Sequence, residues 1–133
     1  MLVVDASVAL SAALSRDGFA RIEHHGLVAP PLMWSEALSA LRELAWRGEI
    51  SPAQAGATRD ALLTARVGRR SPRSLYEEAW RVAAELGWAK TYDAEYVALA
   101  RILRCRLLTR DERLRRGADR VVDVIGPLEL TDR

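Results

Sequence analysis

Apolar residues in this chain follow two rhythms: short unbroken runs, and longer stretches that repeat every three or four positions. Leu2-Val3-Val4 is a run of β-formers that stops at Asp5, and it predicts a buried strand. Leu27-Val28-Ala29 predicts a second, ended by Pro30-Pro31, which break a strand and launch a helix. Cys105 to Thr109 predicts a third, and Val121 to Ile125 a last one before Gly126-Pro127.

The longer stretches have helical spacing. Ala6 to Ser15 places Val8, Ala9 and Ala12 on one side. Leu32 to Arg47 carries Trp34, Leu38, Leu41 and Ala45 on one stripe and Met33, Ala37, Ala40 and Leu44 on another. An apolar face that wide predicts a helix packed on two sides, with Gly48 as its stop. Ser51-Pro52-Ala53-Gln54 opens a helix to about Ala65, with a capping serine and Pro at the first helical position. Ser74-Leu75-Tyr76-Glu77 repeats that capping logic for a helix through Leu86, closed by Gly87. Another helix begins near Asp93, with Tyr96, Leu99, Ala100 and Leu103 on one face, and a short one covers Asp111 to Arg116. Short apolar strands alternating with helices make a single helix-rich α/β domain on a parallel sheet.

Composition excludes more than it identifies. The 133 residues are one domain's worth, 50% hydrophobic and 29% charged, the balance of a soluble globular chain. No apolar run reaches the length of a membrane span, and the start lacks the basic region of a secretory signal. The single cysteine, Cys105, has no internal partner and suits a reducing compartment. The net charge of +2 is small, yet Lys90 is the only lysine among 20 basic residues. Arginine's planar fork suits phosphate, although a genome rich in Arg codons is the more ordinary cause of such a bias, and composition alone names no partner. Arg66, Arg69, Arg70 and Arg73 fall in what reads as a poorly structured connection. Arg101, Arg104, Arg106, Arg110, Arg113, Arg115 and Arg116 crowd the region of Asp111.

Four acids stand where a parallel sheet gathers ligands, outside the carboxyl ends of its strands. Asp5 follows the first strand and Asp111 the third, Asp93 opens a helix, and Glu36 lies in the first turns after Pro30-Pro31. Each has a structural alternative: Asp93 and Asp111 as helix caps, Glu36 as a solvated flank. Clustered carboxylates repel unless cations sit among them, and an all-oxygen set suits Mg²⁺ or Mn²⁺ rather than zinc. Paired ions of that kind serve phosphodiester hydrolysis. The only histidines, His24 and His25, are adjacent and expected to diverge on the surface, so they cannot flank one phosphate.

In these residues the chain resembles PIN-domain ribonucleases, more narrowly the VapC-type toxins of toxin–antitoxin pairs. The resemblance rests on Val3-Val4-Asp5-Ala6-Ser7, Pro31-Leu32-Met33-Trp34-Ser35-Glu36-Ala37-Leu38, Tyr92-Asp93-Ala94-Glu95-Tyr96-Val97-Ala98-Leu99-Ala100 and Leu107-Leu108-Thr109-Arg110-Asp111-Glu112-Arg113-Leu114. Order and spacing agree across essentially all of residues 1–133. The resemblance implies a three-layer α/β/α PIN domain and metal-dependent endonucleolytic cleavage of RNA by an activated water. It implies an acidic quartet of Asp5, Glu36, Asp93 and Asp111 holding Mg²⁺ or Mn²⁺, with Ser7 and Thr109 hydrogen-bonded behind it. Arg110 and Arg113, which flank Asp111, are the expected RNA contacts. A cognate VapB-type antitoxin, a homodimer and a cytoplasmic location without membrane follow from the same likeness.

Two other readings bear on these residues. A phospho-receiver wants adjacent acids after its first strand and a late lysine after another, whereas Asp5 precedes Ala6-Ser7 and Lys90 follows no apolar run. A catalytically silent PIN module that binds RNA or protein stays open beside the enzyme. Of Trp34, Trp46, Trp80 and Trp88, most are expected in the core, and Trp46, on the polar side of its helix, is the candidate partner contact.

Overall fold

The apolar runs become strands buried on both faces, which is what a parallel sheet between helical layers requires. The computed structural model describes residues 1–130. The single domain expected over 1–133 takes in residues 131–133, which lie outside the described residues. In chain order the elements are β1 (Leu2–Val4), α1 (Ala6–Leu14), β2 (Leu27–Ala29), α2 (Leu32–Trp46), α3 (Pro52–Thr64) and β3 (Val67–Arg69). There follow α4 (Leu75–Leu86), α5 (Tyr92–Leu103), β4 (Arg106–Leu108), α6 (Glu112–Ala118) and β5 (Val124–Ile125).

The sheet is fully parallel in the order β3-β2-β1-β4-β5, with Leu2 opposite both Leu27 and Arg106. From β1 the chain moves outward through β2 to β3, then crosses back to β4 on the other side of β1. Right-handed crossovers therefore put α1, α2 and α3 on one face and α4, α5 and α6 on the other, the expected α/β/α layering. The order reverses between β1 and β4, and a crevice opens at the carboxyl ends of those two strands.

Helix α5 fills the space over β1 and β4, and seven consecutive residues from Ala94 to Ala100 are buried. Helix α2 packs against both α1 and α3, as its double stripe predicts. Ser51 caps α3, accepting the Gln54 N–H at 3.0 Å with Pro52 behind it. Ser74 makes no side-chain cap bond, so the second capping motif is a correction: Glu77 and Glu78 supply the negative charge of the first turn instead.

Two further expectations change. The connection holding Arg66 to Arg73 contains the edge strand β3, Leu27 pairing with Val67 and Ala29 with Arg69. A glycine-centred tripeptide has no strand signature of its own, and its pairing comes from the β2 backbone beside it. The last strand is shorter than expected. Val121 and Val122 return their N–H groups to the Ala118 carbonyl and finish the turn after α6. Among the described residues no helix is long and apolar enough to cross a membrane.

Candidate active site

Asp5 follows β1 directly, and its N–H continues the ladder to the Leu108 carbonyl. Its extended backbone makes it the N-cap of α1, where Oδ1 accepts the Val8 N–H at 3.1 Å and the Ser7 hydroxyl at 2.6 Å. Oδ2 accepts the hydroxyl of Thr109. The carboxylate is thus held on both oxygens and is only 5% exposed.

The same two hydroxyls hold the segment after β4. Thr109 accepts the Asp111 N–H at 2.9 Å, and Ser7 accepts the Arg110 N–H at 3.1 Å. Each bridges the β1–α1 corner to the β4–α6 corner. Asp111 caps α6, its Oδ1 accepting the N–H groups of Arg113 at 2.9 Å and Leu114 at 3.2 Å. Capping uses one of its two oxygens.

Glu36 is half-buried in α2, and Oε1 accepts the Tyr96 phenol at 2.5 Å, a length typical of a charge-assisted bond. Asp93, reached by solvent but half-enclosed by its surroundings, lies in the first turn of α5 and is not its cap, a place taken by Thr91. The helix dipole still favours its negative charge there.

The four carboxylates feel one another. Asp5, Glu36 and Asp93 all hold their protons above the ordinary carboxylate range, in each case chiefly because burial penalises the charge. The bonds from Ser7, Thr109 and Val8 pull Asp5 back down, while the Asp111 charge pushes it up. The Tyr96 bond lowers Glu36 and the charges of Asp93 and Asp5 raise it. Asp93 is raised by Asp111 and Asp5 and lowered by Arg113. Glu95, a buried neighbour on α5, is raised by burial and by the Glu36 charge. Burial and the bond to Glu36 raise Tyr96 far above a free phenol, so it remains a donor.

Glu36, Asp93 and Asp111 line one groove of about 600 Å³ together with Trp88, Lys90, Tyr92 and Arg113. Asp5 is not part of its lining. Among the described residues no three Asp, Glu, His or Cys side chains are drawn into a common ligand shell. Of the expected RNA contacts, Arg113 lines this groove. The Arg110 guanidinium bonds Ser11 Oγ at 2.6 Å and lines the neighbouring cavity over α1.

Other arginines of the crowd are occupied or elsewhere. Arg101 pairs with Glu78 and Glu85, Arg115 pairs with Glu129, and Arg106 opens β4 at the opposite end of the sheet. The imidazoles of His24 and His25 sit 4.1 Å apart in a 3₁₀ turn rather than diverging, and neither lines the groove. The tryptophans also depart from expectation. Trp46 and Trp80 are 78% and 71% exposed, while Trp34 and Trp88 are half-buried and pack against the edge of the core. Sequence reasoning missed the role of Tyr96, whose signal was a phenol three residues after Asp93 at the head of the apolar stretch of α5.

Comparison with known proteins shows the family. The sequence model of the PIN domain matches residues 2–120. Ribonuclease VapC9 of Mycobacterium tuberculosis is 46% identical over 119 residues, covering 86% of this chain and 88% of its own. Among solved structures, PAE2754 from Pyrobaculum aerophilum superposes with a TM-score of 0.73 at 26% identity, over 94% of this chain and 89% of that one. A toxin–antitoxin complex from Klebsiella pneumoniae shares the fold, with a TM-score of 0.64 at 19% identity, over 100% of this chain and 98% of that one.

Proposed function

The chain belongs to the PIN-domain family and, within it, to the VapC ribonucleases, and on that premise we propose how it works and with what. It is an endoribonuclease of the toxin type. Residues 1–133 form one PIN domain, and Asp5, Glu36, Asp93 and Asp111 serve a Mg²⁺ or Mn²⁺ site. The observation that carries this is that Glu36, Asp93 and Asp111 line one groove at the carboxyl edge of the sheet, with Asp5 tied to Asp111 through the Thr109 hydroxyl.

The donor set fits a hard cation. It is all oxygen, and burial makes Asp5, Glu36 and Asp93 costly to ionise without a cation. Mg²⁺ keeps several waters and takes one or two carboxylates, so a closed protein shell is not required. Asp93, Asp111 and Glu36, which line the groove, would hold the ion together with Asp5. When bound, such an ion supplies positive charge for the phosphate and lowers the pKa of water.

The chain's own residues do the rest. Arg113 and Lys90 draw the RNA backbone into the groove. Ser7 and Thr109 hold Asp5, and Tyr96 holds Glu36, in fixed orientations. A groove carboxylate accepts a proton from the attacking water. One P–O bond forms with the water oxygen, the bond to the departing sugar oxygen breaks, and that oxygen takes up a proton. Arg110 contacts RNA that runs on past the groove.

The same reading brings a cognate VapB-type antitoxin, a homodimer and a cytoplasmic setting, with Trp46 at a protein contact. The test is cleavage of labelled RNA by the purified chain with Mg²⁺ or Mn²⁺ and with excess chelator. Cleavage requires the ion and is lost in a folded Asp93→Asn variant. Undiminished cleavage in chelator, or by that variant, sinks the proposal.

A further inference from the structure

The acidic groove has an aromatic side that its carboxylates do not explain. Trp88 and Tyr92 both line it, with the chain's only lysine, Lys90, between them. Gly87, at φ +72°, ends α4 so that the Trp88 N–H returns to the Ala83 carbonyl at 2.8 Å and the Gly87 N–H to that of Ala84 at 3.3 Å. This paired closure fixes the backbone of Trp88 as the chain leaves the helix.

The indole is then seated on α6. A Cβ placed on Gly117 would lie 2.8 Å from Trp88 Cζ2, inside van der Waals contact. Glycine within a helix is less stable than alanine, so its presence here accommodates the indole. Tyr92 opens α5 with 57% of its surface exposed, one residue before Asp93. An aromatic ring left in solvent beside a charged groove is available to a planar partner.

We propose that Trp88 and Tyr92 form a stacking subsite for an unpaired nucleobase of the RNA, beside the phosphate presented to the acidic groove, with Lys90 on an adjacent phosphate. This rests on the ribonuclease reading above. Every base has a π-face, so aromatic platforms add affinity with little sequence preference. A base inside a duplex is already stacked and cannot reach them, which makes single strands, loops and bulges the substrate class. The two cations in the groove, Lys90 and Arg113, favour an anionic backbone as the occupant.

The experiment uses the full chain and a mixed-sequence single-stranded RNA whose cut site is first mapped with the unaltered protein. KM and kcat are then compared on that RNA and on copies carrying an abasic nucleotide on either side of the cut. Trp88→Ala raises KM by about tenfold or more, within the range for loss of one stacked base, with a much smaller effect on kcat. Trp88→Phe restores most of the loss. One abasic position costs the unaltered protein a similar factor and costs Trp88→Ala nothing further. Gly117→Ala, which displaces the indole, behaves like Trp88→Ala while its circular dichroism stays native.

Tyr92→Ala, at an exposed position, carries the same abasic comparison if the Trp88 variant fails to fold. Equal losses on intact and abasic RNA, or no loss, overturn the subsite and leave the ribonuclease standing. Absence of cleavage by the unaltered protein with either ion overturns both.

Discussion

The phenol of Tyr96 donates to Oε1 of Glu36 at 2.5 Å, joining two helices on opposite faces of the sheet across its carboxyl edge. The ring is 1% exposed, so the bond is made from a position that packing has already fixed. A flexible glutamate thereby acquires a defined place among the acids.

Tyr96→Phe keeps that packing and removes only the donor. Divalent-ion affinity and cleavage are expected to fall about 10- to 100-fold, the usual cost of losing a partner behind a metal-binding carboxylate. The bond lowers the pKa of Glu36, so its loss raises that pKa and moves the acid limb of the pH–rate profile to higher pH. Isothermal titration with Mn²⁺ and a pH–rate profile check both, and an unchanged profile would mean Glu36 takes no part.

Thr109 donates to Asp5 and accepts from the Asp111 amide, and it is 2% exposed. Thr109→Val keeps the shape and strands two partners, which costs roughly 2–3 kcal/mol. Thr109→Ser keeps both bonds. Denaturant unfolding is expected to separate the two variants, with cleavage following the hydroxyl rather than the methyl group.

Asp111 both caps α6 and contributes charge to the groove. Asparagine is as good a cap as aspartate, so Asp111→Asn leaves the melting temperature nearly unchanged while cleavage is lost. Asp111→Ala loses cleavage and about 1 kcal/mol of stability as well. Equal cleavage by Asp111→Asn and the unaltered protein would restrict this residue to capping.

Stability in chelator depends on pH with a definite sign. Asp5, Glu36 and Asp93 have folded-state pKa values above those of the unfolded chain. Their contribution is therefore fully present below about pH 4, where both states are protonated, and is lost as pH rises through the raised folded values. These groups make the melting temperature fall over that window. Added Mg²⁺ or Mn²⁺ restores it at neutral pH, and Asp93→Asn melts higher than the unaltered protein in chelator. A flat profile for both proteins would show that neither burial nor neighbouring charge raises these acids in the folded chain.

The legible part of this molecule was the part built from local pattern. Three apolar runs and the double stripe of α2 are where the periodicity puts them, because burial on two faces leaves only apolar residues to choose from. Edge strand β3 was not legible, since Val67-Gly68-Arg69 owes its pairing to β2 and not to its own composition. Trp80 illustrates the opposite failure: its size argues for burial, but it lies one position beyond Ala79, outside the buried stripe of α4. The four acids could be named from motifs, whereas the partner of Glu36 needed a contact spanning 60 positions. Arg101 and Arg113 look alike in sequence, and only the fold gives one to Glu78 and Glu85 and the other to the groove.

Strands of two or three residues make a sheet at most about 10 Å tall, with one layer of core between its two edges. Val4 and Leu108, the last residues of β1 and β4, pack in the core and also carry Asp5 and Thr109 on the next peptide unit. A larger domain can absorb a repacked core far from its catalytic residues. Here a methyl group lost at either position shifts an acid or its hydroxyl partner directly. Evolutionary drift in the interior of this protein is thus limited by function well before it is limited by folding.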